Sequence, residues 1–383
     1  MALHFERSEF DARRDRLMID MAEKKLDAML LFAQESMYWL TGYDTFGFCF
    51  FQCLVVKADG SMVLLTRSAD LRQARQTSTI DNIVLWTDRA EANPAIDLRN
   101  LLNDLDLLGA RIGVEYDTHG LTAYNGRRLD EQLQTFGQIV DASRIVTRLR
   151  LFKSPAEIAK AEKAAALADD ALDAALPLIK QGGDEAAILA AMQGTVLAGG
   201  GDYPANEFIV GSGEDALLCR YKAGRRKLNK NDQLTLEWAG VYHHYHAAMM
   251  RTVLTGKVSK RHQELFEAAR AALLAVEKAM TPGNTFGDVF DAHARTMEAH
   301  GLTKHRLNAC GYSLGARFAP SWMDMPMFYQ ANPEPVAPNM TLFAHMIIMD
   351  SETGTAMTLG RTYLTTELEP RPLSRHDLDL IVR

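Results

Sequence analysis

Apolar and polar positions follow two rhythms along this chain, and the change of rhythm marks its elements. Over residues 8–25 charged positions surround Phe10, Leu17, Met18 and Met21, which share one helical stripe. DAMLLFA (27–33) is a continuous apolar run and predicts a buried strand. FFQCLVVK (50–57) and SMVLLT (61–66), joined by ADGS, predict a hairpin. NIVLWT (82–87) and RIGVEYD (111–117) predict further strands, separated by helical patterns at about 92–107 and 119–135. Residues 1–150 therefore predict an α/β layer.

The pattern changes at LRLFKSPAEIAKAEKAAALADDAL. Ser154 can cap a helix, Pro155 suits its first turn and Glu157 completes a capping box, so a long helix is predicted from here to about residue 181. A second helix at about 184–198 runs into Gly199-Gly200-Gly201. QLTLEWAGVY (233–242) and YHAAMMRTVLTG (245–256) predict two strands. Leu265, Ala269, Leu273, Val276 and Met280 mark a third helix, and TFGDVFDAHARTMEAHG a fourth. TLFAHMIIMD and MTLGRTYLTT predict two late strands. Residues 151–383 thus predict an α+β domain with antiparallel strands and helices on one face.

Composition adds exclusions. At 383 residues the chain exceeds one small domain, since domains average roughly 150 residues. With 47% hydrophobic and 24% charged residues it is an ordinary globular chain, not a disordered one. No window approaches 18 apolar residues, and the opening MALHFERSEFDARRDR has no apolar signal core, so the expectation is a cytoplasmic protein without a membrane span. The net charge of −7 is spread along the chain, which argues against a nucleic-acid partner. Cys49, Cys53, Cys219 and Cys310 form no CxxC or zinc spacing and are expected as reduced thiols.

LRLFKSPAEI at a domain junction, MTPGNTFGDVFDAHARTMEAHG, SMYWLTGYD near the N-terminus and above all EWAGVYHHYHAAMMRT resemble the creatinase/prolidase/methionine-aminopeptidase superfamily over nearly the whole chain. The resemblance implies a creatinase-like N-terminal domain over 1–150, a C-terminal pita-bread domain over 151–383 and a homodimer. GDYPA (201–205), YHHYH and GYSLGARFAPSW (311–322) look most like the ectoine hydrolase branch, with creatinase next.

Metallopeptidases of this superfamily hold two metal ions with two Asp, one His and two Glu. Carried over one at a time, these positions fall on Glu237, Ala248, Tyr312, His345 and Arg361, the last becoming Gly360 with a shifted gap. Two divalent ions need several carboxylates, so no metal and no other cofactor is expected here. The resemblance then implies metal-independent cleavage of a C–N bond. In creatinase-like relatives a loop His serves as general acid/base, and that position is Arg220 here, which stays protonated.

Strand parity puts Glu237 and His246 on the face where the family has its site. The candidate catalytic set is Glu237, His246, Tyr312 and His345, ringed by Arg220, Arg251, Arg317 and Arg361 as substrate-binding residues. The arginines are expected to hold the carboxylate of a small anionic or zwitterionic substrate. His345 or His246 is expected to activate water, Glu237 to stabilise a cation or take the second proton, and Tyr312 to donate a hydrogen bond. The resemblance also implies that the N-terminal domain of one subunit covers the partner's site, which brings in Phe46 and Phe48. A non-catalytic small-molecule-binding protein and a diverged Xaa-Pro peptidase-like metalloenzyme are the alternatives.

Overall fold

The computed structural model describes residues 3–220 and 224–383. The chain forms two compact units, Met1–Arg150 and Leu151–Arg383. No helix among the described residues is long and apolar enough to cross a membrane.

The first unit is one mixed sheet between helices. Its strands are β1 (Ala28–Leu31), β2 (Cys53–Lys57), β3 (Met62–Arg67), β4 (Asn82–Trp86), β5 (Arg111–Val114) and β6 (Gln138–Asp141), in the order β4-β3-β2-β1-β5-β6. The helices are α1 (Arg7–Glu23), α2 (Gln34–Thr41), α3 (Ser68–Thr77), α4 (Pro94–Asp104), α5 (Ala123–Leu133) and α6 (Arg144–Leu151). The predicted hairpin is the antiparallel β2–β3 pair. β1 explains its unbroken apolar run. Ala28 and Leu30 pack with Val55, Leu65 and Leu98 on one face, while Met29 and Leu31 pack with Leu17, Trp39 and Leu54 on the other. A strand covered on both sides needs no polar alternation.

The second unit is built on a curved antiparallel sheet. Its helices are α7 (Pro155–Ala175), α8 (Glu185–Ala198), α9 (Lys260–Ala279) and α10 (Phe286–Ala299). Its main strands are β7 (Ile209–Ser212), β8 (Asp232–Tyr242), β9 (Tyr245–Thr255), β10 (Ala309–Ser313), β11 (Asp324–Tyr329), β12 (Thr341–Asp350) and β13 (Thr355–Leu364), ordered β11-β10-β12-β13-β9-β8-β7. Two short strands, β14 (Arg371–Pro372) and β15 (Ile381–Val382), pair with β13 and β9.

Local chemistry sets the frame. The capping box at α7 forms: Glu157 N donates to Ser154 Oγ at 3.2 Å and Ser154 N to Glu157 Oε2 at 3.0 Å. The other carboxylate oxygen of Glu157 accepts from Tyr245 Oη at 2.7 Å, which ties the start of α7 to β9. β8 and β9 join through His243 and His244, whose φ of 50° and 64° suit the tight two-residue hairpin. Gly240 allows α7 to lie directly on the sheet, because a Cβ there would sit 1.9 Å from Ala164 O. Trp238 Nε1 donates to Ala168 O at 2.8 Å on the same side. The α7 face of the sheet is therefore the one opposite Glu237.

Candidate active site

The strand register aligns one row of residues across the uncovered face. Ile209 pairs with Glu237, Glu237 with Met250, Met250 with Gly360 and Gly360 with His345. One pair further along, Thr362 meets Phe343 and Phe343 meets Tyr312. Residues directly opposite in neighbouring strands share a face, so Glu237, Ala248, Gly360, His345 and Tyr312 line a single surface. Of the five positions that the resemblance marks as metal ligands, this surface carries one carboxylate. The final position is filled by Gly360, because Arg361 pairs with Ala344 and points the other way.

The sheet curls around this surface. Four strand spacings separate the strands of Glu237 and Tyr312, about 19 Å if flat. Yet the Tyr312 hydroxyl reaches the Glu237 carboxyl closely enough to act on it as a hydrogen-bond partner and lower its pKa. Trp322 Nε1 in turn donates to Tyr312 Oη at 2.8 Å. The His345 ring lies 5.6 Å from that of Tyr312 and 5.3 Å from that of Phe343, centroid to centroid. Arg220, on the segment after β7, brings a positive charge within electrostatic reach of Glu237, Tyr312 and His345.

These surroundings set the protonation states. Burial pushes the Glu237 carboxyl up to about 7, with Arg220 and the Tyr312 hydrogen bond pulling it back. Burial, reinforced by the Glu237 charge, pushes the Tyr312 phenol well above its usual range, so it remains a donor. Burial drives His345 down to about 3, with His293 and Arg220 acting in the same direction. His345 is therefore neutral across the physiological range and too weak a base to be matched to pH 7.

The structure brings together Glu237, Tyr312, His345 and Arg220. It places the other expected residues elsewhere. His246 is on the correct face, 6.2 Å from the Trp322 ring, but its Nε2 accepts from Ala205 N at 3.0 Å. Its lone pair is committed to the 201–208 segment, and burial lowers it to about 3. Arg251 and Arg361 do not ring the pocket. Arg251 pairs with Leu359 on the helix-covered face, where its Nη1 donates to Met250 O and Gly360 O at 2.8 and 2.6 Å. Arg361 lies on that same face and forms a 2.7 Å ion pair with Glu277 of α9. Arg317 donates to Ser321 O at 3.3 Å and meets Asp324 Oδ1 at 3.4 Å. Phe46 and Phe48 belong to the first unit, where Phe46 is 82% exposed and Phe48 half-buried.

Three contributors carried no clear sequence signal. Cys219 sits within reach of the Glu237 and Arg220 charges, and burial with Glu237 raises its thiol pKa, so it is a thiol rather than a thiolate. Trp322 lies within GYSLGARFAPSW, yet only the fold shows that it orients Tyr312. His293 of α10 is buried and depressed to about 4, chiefly by burial and then by Arg306. It influences His345 from outside the row.

Comparison with known proteins agrees with this architecture. Metallopeptidase family M24 matches residues 159–367, and the Creatinase/Prolidase N-terminal domain matches residues 13–152. The chain belongs to metallopeptidase family M24. It is 27% identical to an ectoine hydrolase of Halomonas elongata over 361 residues, 89% of each chain. It is also 27% identical over 391 residues to an uncharacterised hydrolase/peptidase of Sinorhizobium fredii, covering 99% of this chain and 97% of that protein. The same fold occurs in an X-Pro aminopeptidase from Thermotoga maritima, with TM-score 0.84, 19% identity and 97% and 99% of the two chains covered. It occurs again in dipeptidase PepE from Mycobacterium ulcerans, with TM-score 0.86, 21% identity and 99% of each chain covered. The creatinase-like first domain and pita-bread second domain thus have the fold seen in Xaa-Pro peptidase structures.

Proposed function

We propose that this M24 protein hydrolyses a C–N bond in a small carboxylate-bearing compound of the amidine, cyclic amidine or guanidino type, without a dinuclear metal centre. One observation carries the reading: a single carboxyl, Glu237, poised near pH 7 and oriented by Tyr312, occupies a surface whose other metal positions are Ala248, Tyr312, His345 and Gly360. This donor set does not fit a pair of divalent ions, which needs several carboxylates to balance its charge. The 27% identity to an ectoine hydrolase supports the same reaction class.

The chemistry follows from the side chains. Arg220 holds the substrate carboxylate as an ion pair. Glu237, ionised, accepts a proton from water as the water oxygen bonds to the amidine carbon. Tyr312 keeps the Glu237 carboxylate aimed at that water. Neutral His345 donates a hydrogen bond to the growing tetrahedral centre. Glu237 then returns the proton to the leaving nitrogen, the second water proton passes to the nitrogen that stays, and the C–N bond breaks to give an amide or urea and an amine, which remain one ring-opened molecule when the substrate is a cyclic amidine. The role expected of an imidazole base passes to Glu237, because a general base works best with a pKa near the working pH.

A panel of amidines, cyclic amidines, guanidino acids and Xaa-Pro dipeptides tests the proposal. Turnover of a non-peptide member that falls at least about 100-fold in Glu237→Gln supports it. Turnover of none, with tight binding of one, supports instead a binding protein built on this fold.

A further inference from the structure

Glu185 opens α8 and is completely buried, at 0% exposure. Its carboxylate gathers donors from both ends of one segment. Oε1 accepts from Ser212 N at 2.8 Å and Ser212 Oγ at 2.7 Å, where the chain leaves β7. Oε2 accepts from Gly224 N at 3.3 Å, Arg225 N at 3.0 Å and Arg226 N at 3.1 Å, where the chain returns. Arg226 Nη1 donates to Ser212 Oγ at 2.7 Å and closes the ring. Glu185 N also donates to Arg226 O at 3.1 Å, so backbone and side chain hold the same point. Between the two ends run Cys219 and Arg220, the residues whose thiol and guanidinium lie within reach of Glu237.

Five donors converging on one side chain demand an acceptor-only group. A carboxylate offers about four lone-pair sites and no donor, so the five share them, whereas an amide turns an NH2 toward a backbone N–H. Full burial adds to the cost of any mismatch, because no water replaces a lost partner.

We infer that Glu185 is a positioning residue, which pins both ends of the 212–226 segment and so sets Arg220 against Glu237. It touches no reacting atom and acts only through the segment it closes. The importance given to Arg220 rests on the proposed hydrolase reading, but the placement of the segment can be measured without a substrate.

The experiment follows alkylation of native protein by iodoacetamide, resolved cysteine by cysteine by mass spectrometry, in wild type, Glu185→Gln and Glu185→Asp. Cys219 is half-buried, whereas Cys310, in the same unit, is fully buried. In Glu185→Gln, Cys219 reacts at least about tenfold faster while Cys310 stays protected, as expected for local opening. The pH midpoint for Cys219 falls toward that of an ordinary thiol as it leaves burial and the Glu237 charge. Glu185→Asp restores part of the protection. On any substrate found in the panel, KM rises more than kcat falls, since the Arg220 contact is a binding contact. Wild-type reactivity of Cys219 in Glu185→Gln overturns the inference. Simultaneous exposure of Cys310 also overturns it, by making Glu185 a residue of the fold as a whole. A panel without turnover rejects the hydrolase reading and leaves the thiol result to stand or fall separately.

Discussion

The proposed chemistry turns on Glu237, and the surroundings of this residue make a signed prediction. With a pKa near 7 and the ionised form required, kcat/KM rises with pH through about 7 and then levels, which a pH–rate profile on the active panel member reads directly. Arg220 pulls that value down, so Arg220→Gln moves the rise to higher pH as well as raising KM. His345 adds no second limb between pH 5 and 8, because burial keeps it near 3. His246 answers to stability. Replacing it with Ala leaves the buried Ala205 N–H without its acceptor, at a cost of about 1–3 kcal/mol in denaturant unfolding. At this scale Glu237 and Arg220 were named from the sequence, since the resemblance gives each position a counterpart. Trp322 and Cys219 were not, because their relevance depends on contacts that the segments 213–220 and 314–323 make only after folding.

At the scale of elements, the long predicted helices and strands are present, although α7 stops at Ala175 and not near residue 181, and side-chain caps mark where α4, α5, α7, α8, α9 and α10 begin. Ser154→Ala removes half of the α7 capping box and is expected to cost about 1 kcal/mol, read as a lowered Tm. Gly240→Ala is more severe, because its methyl group meets the α7 backbone at Ala164 O and must drive helix and sheet apart. α2 escaped the sequence reading for a physical reason. Gln34, Ser36, Met37, Tyr38, Trp39, Leu40 and Thr41 are all buried, so no polar face reveals a helical period. Strand parity in β9 separates the site face from the helix-covered face. It correctly puts His246 and Ala248 on one face of β9, and the same count sends Arg251 to the other. Arg361 depended on the placement of a gap, which the β12–β13 register resolves in favour of Gly360.

At the scale of the molecule, curvature of the second unit's sheet makes the site. Glu237 and Tyr312 stand four strands apart, and no local pattern announces that they meet. Burial also leaves a signature in overall stability. His246, His293 and His345 have folded values of about 3, 4 and 3, below the unfolded value of about 6.5. Their contribution is complete above pH 6.5 and is lost as pH falls toward 3. Glu237 and Glu115, both pushed up to about 7 by burial, have the opposite sign, contributing below the unfolded value of 4.5 and losing that contribution as pH rises through 7. The two carboxyls offset most of what the three histidines lose between pH 7 and pH 5, so the informative quantity is the difference between variants: the urea midpoint of His293→Gln is expected to lose less than that of the wild type over this range, a shallower slope. An unchanged slope in that variant contradicts the assignment of His293 as a buried neutral group.

The central claim is hydrolysis carried by one carboxylate in place of a metal pair. Its most direct test compares turnover of the amidine, guanidino and Xaa-Pro panel by protein before and after exhaustive removal of metal with a chelator, beside Glu237→Gln. The account predicts a non-peptide substrate whose turnover survives metal removal and disappears in Glu237→Gln. Turnover confined to Xaa-Pro dipeptides, abolished by the chelator and restored by added divalent metal, contradicts it.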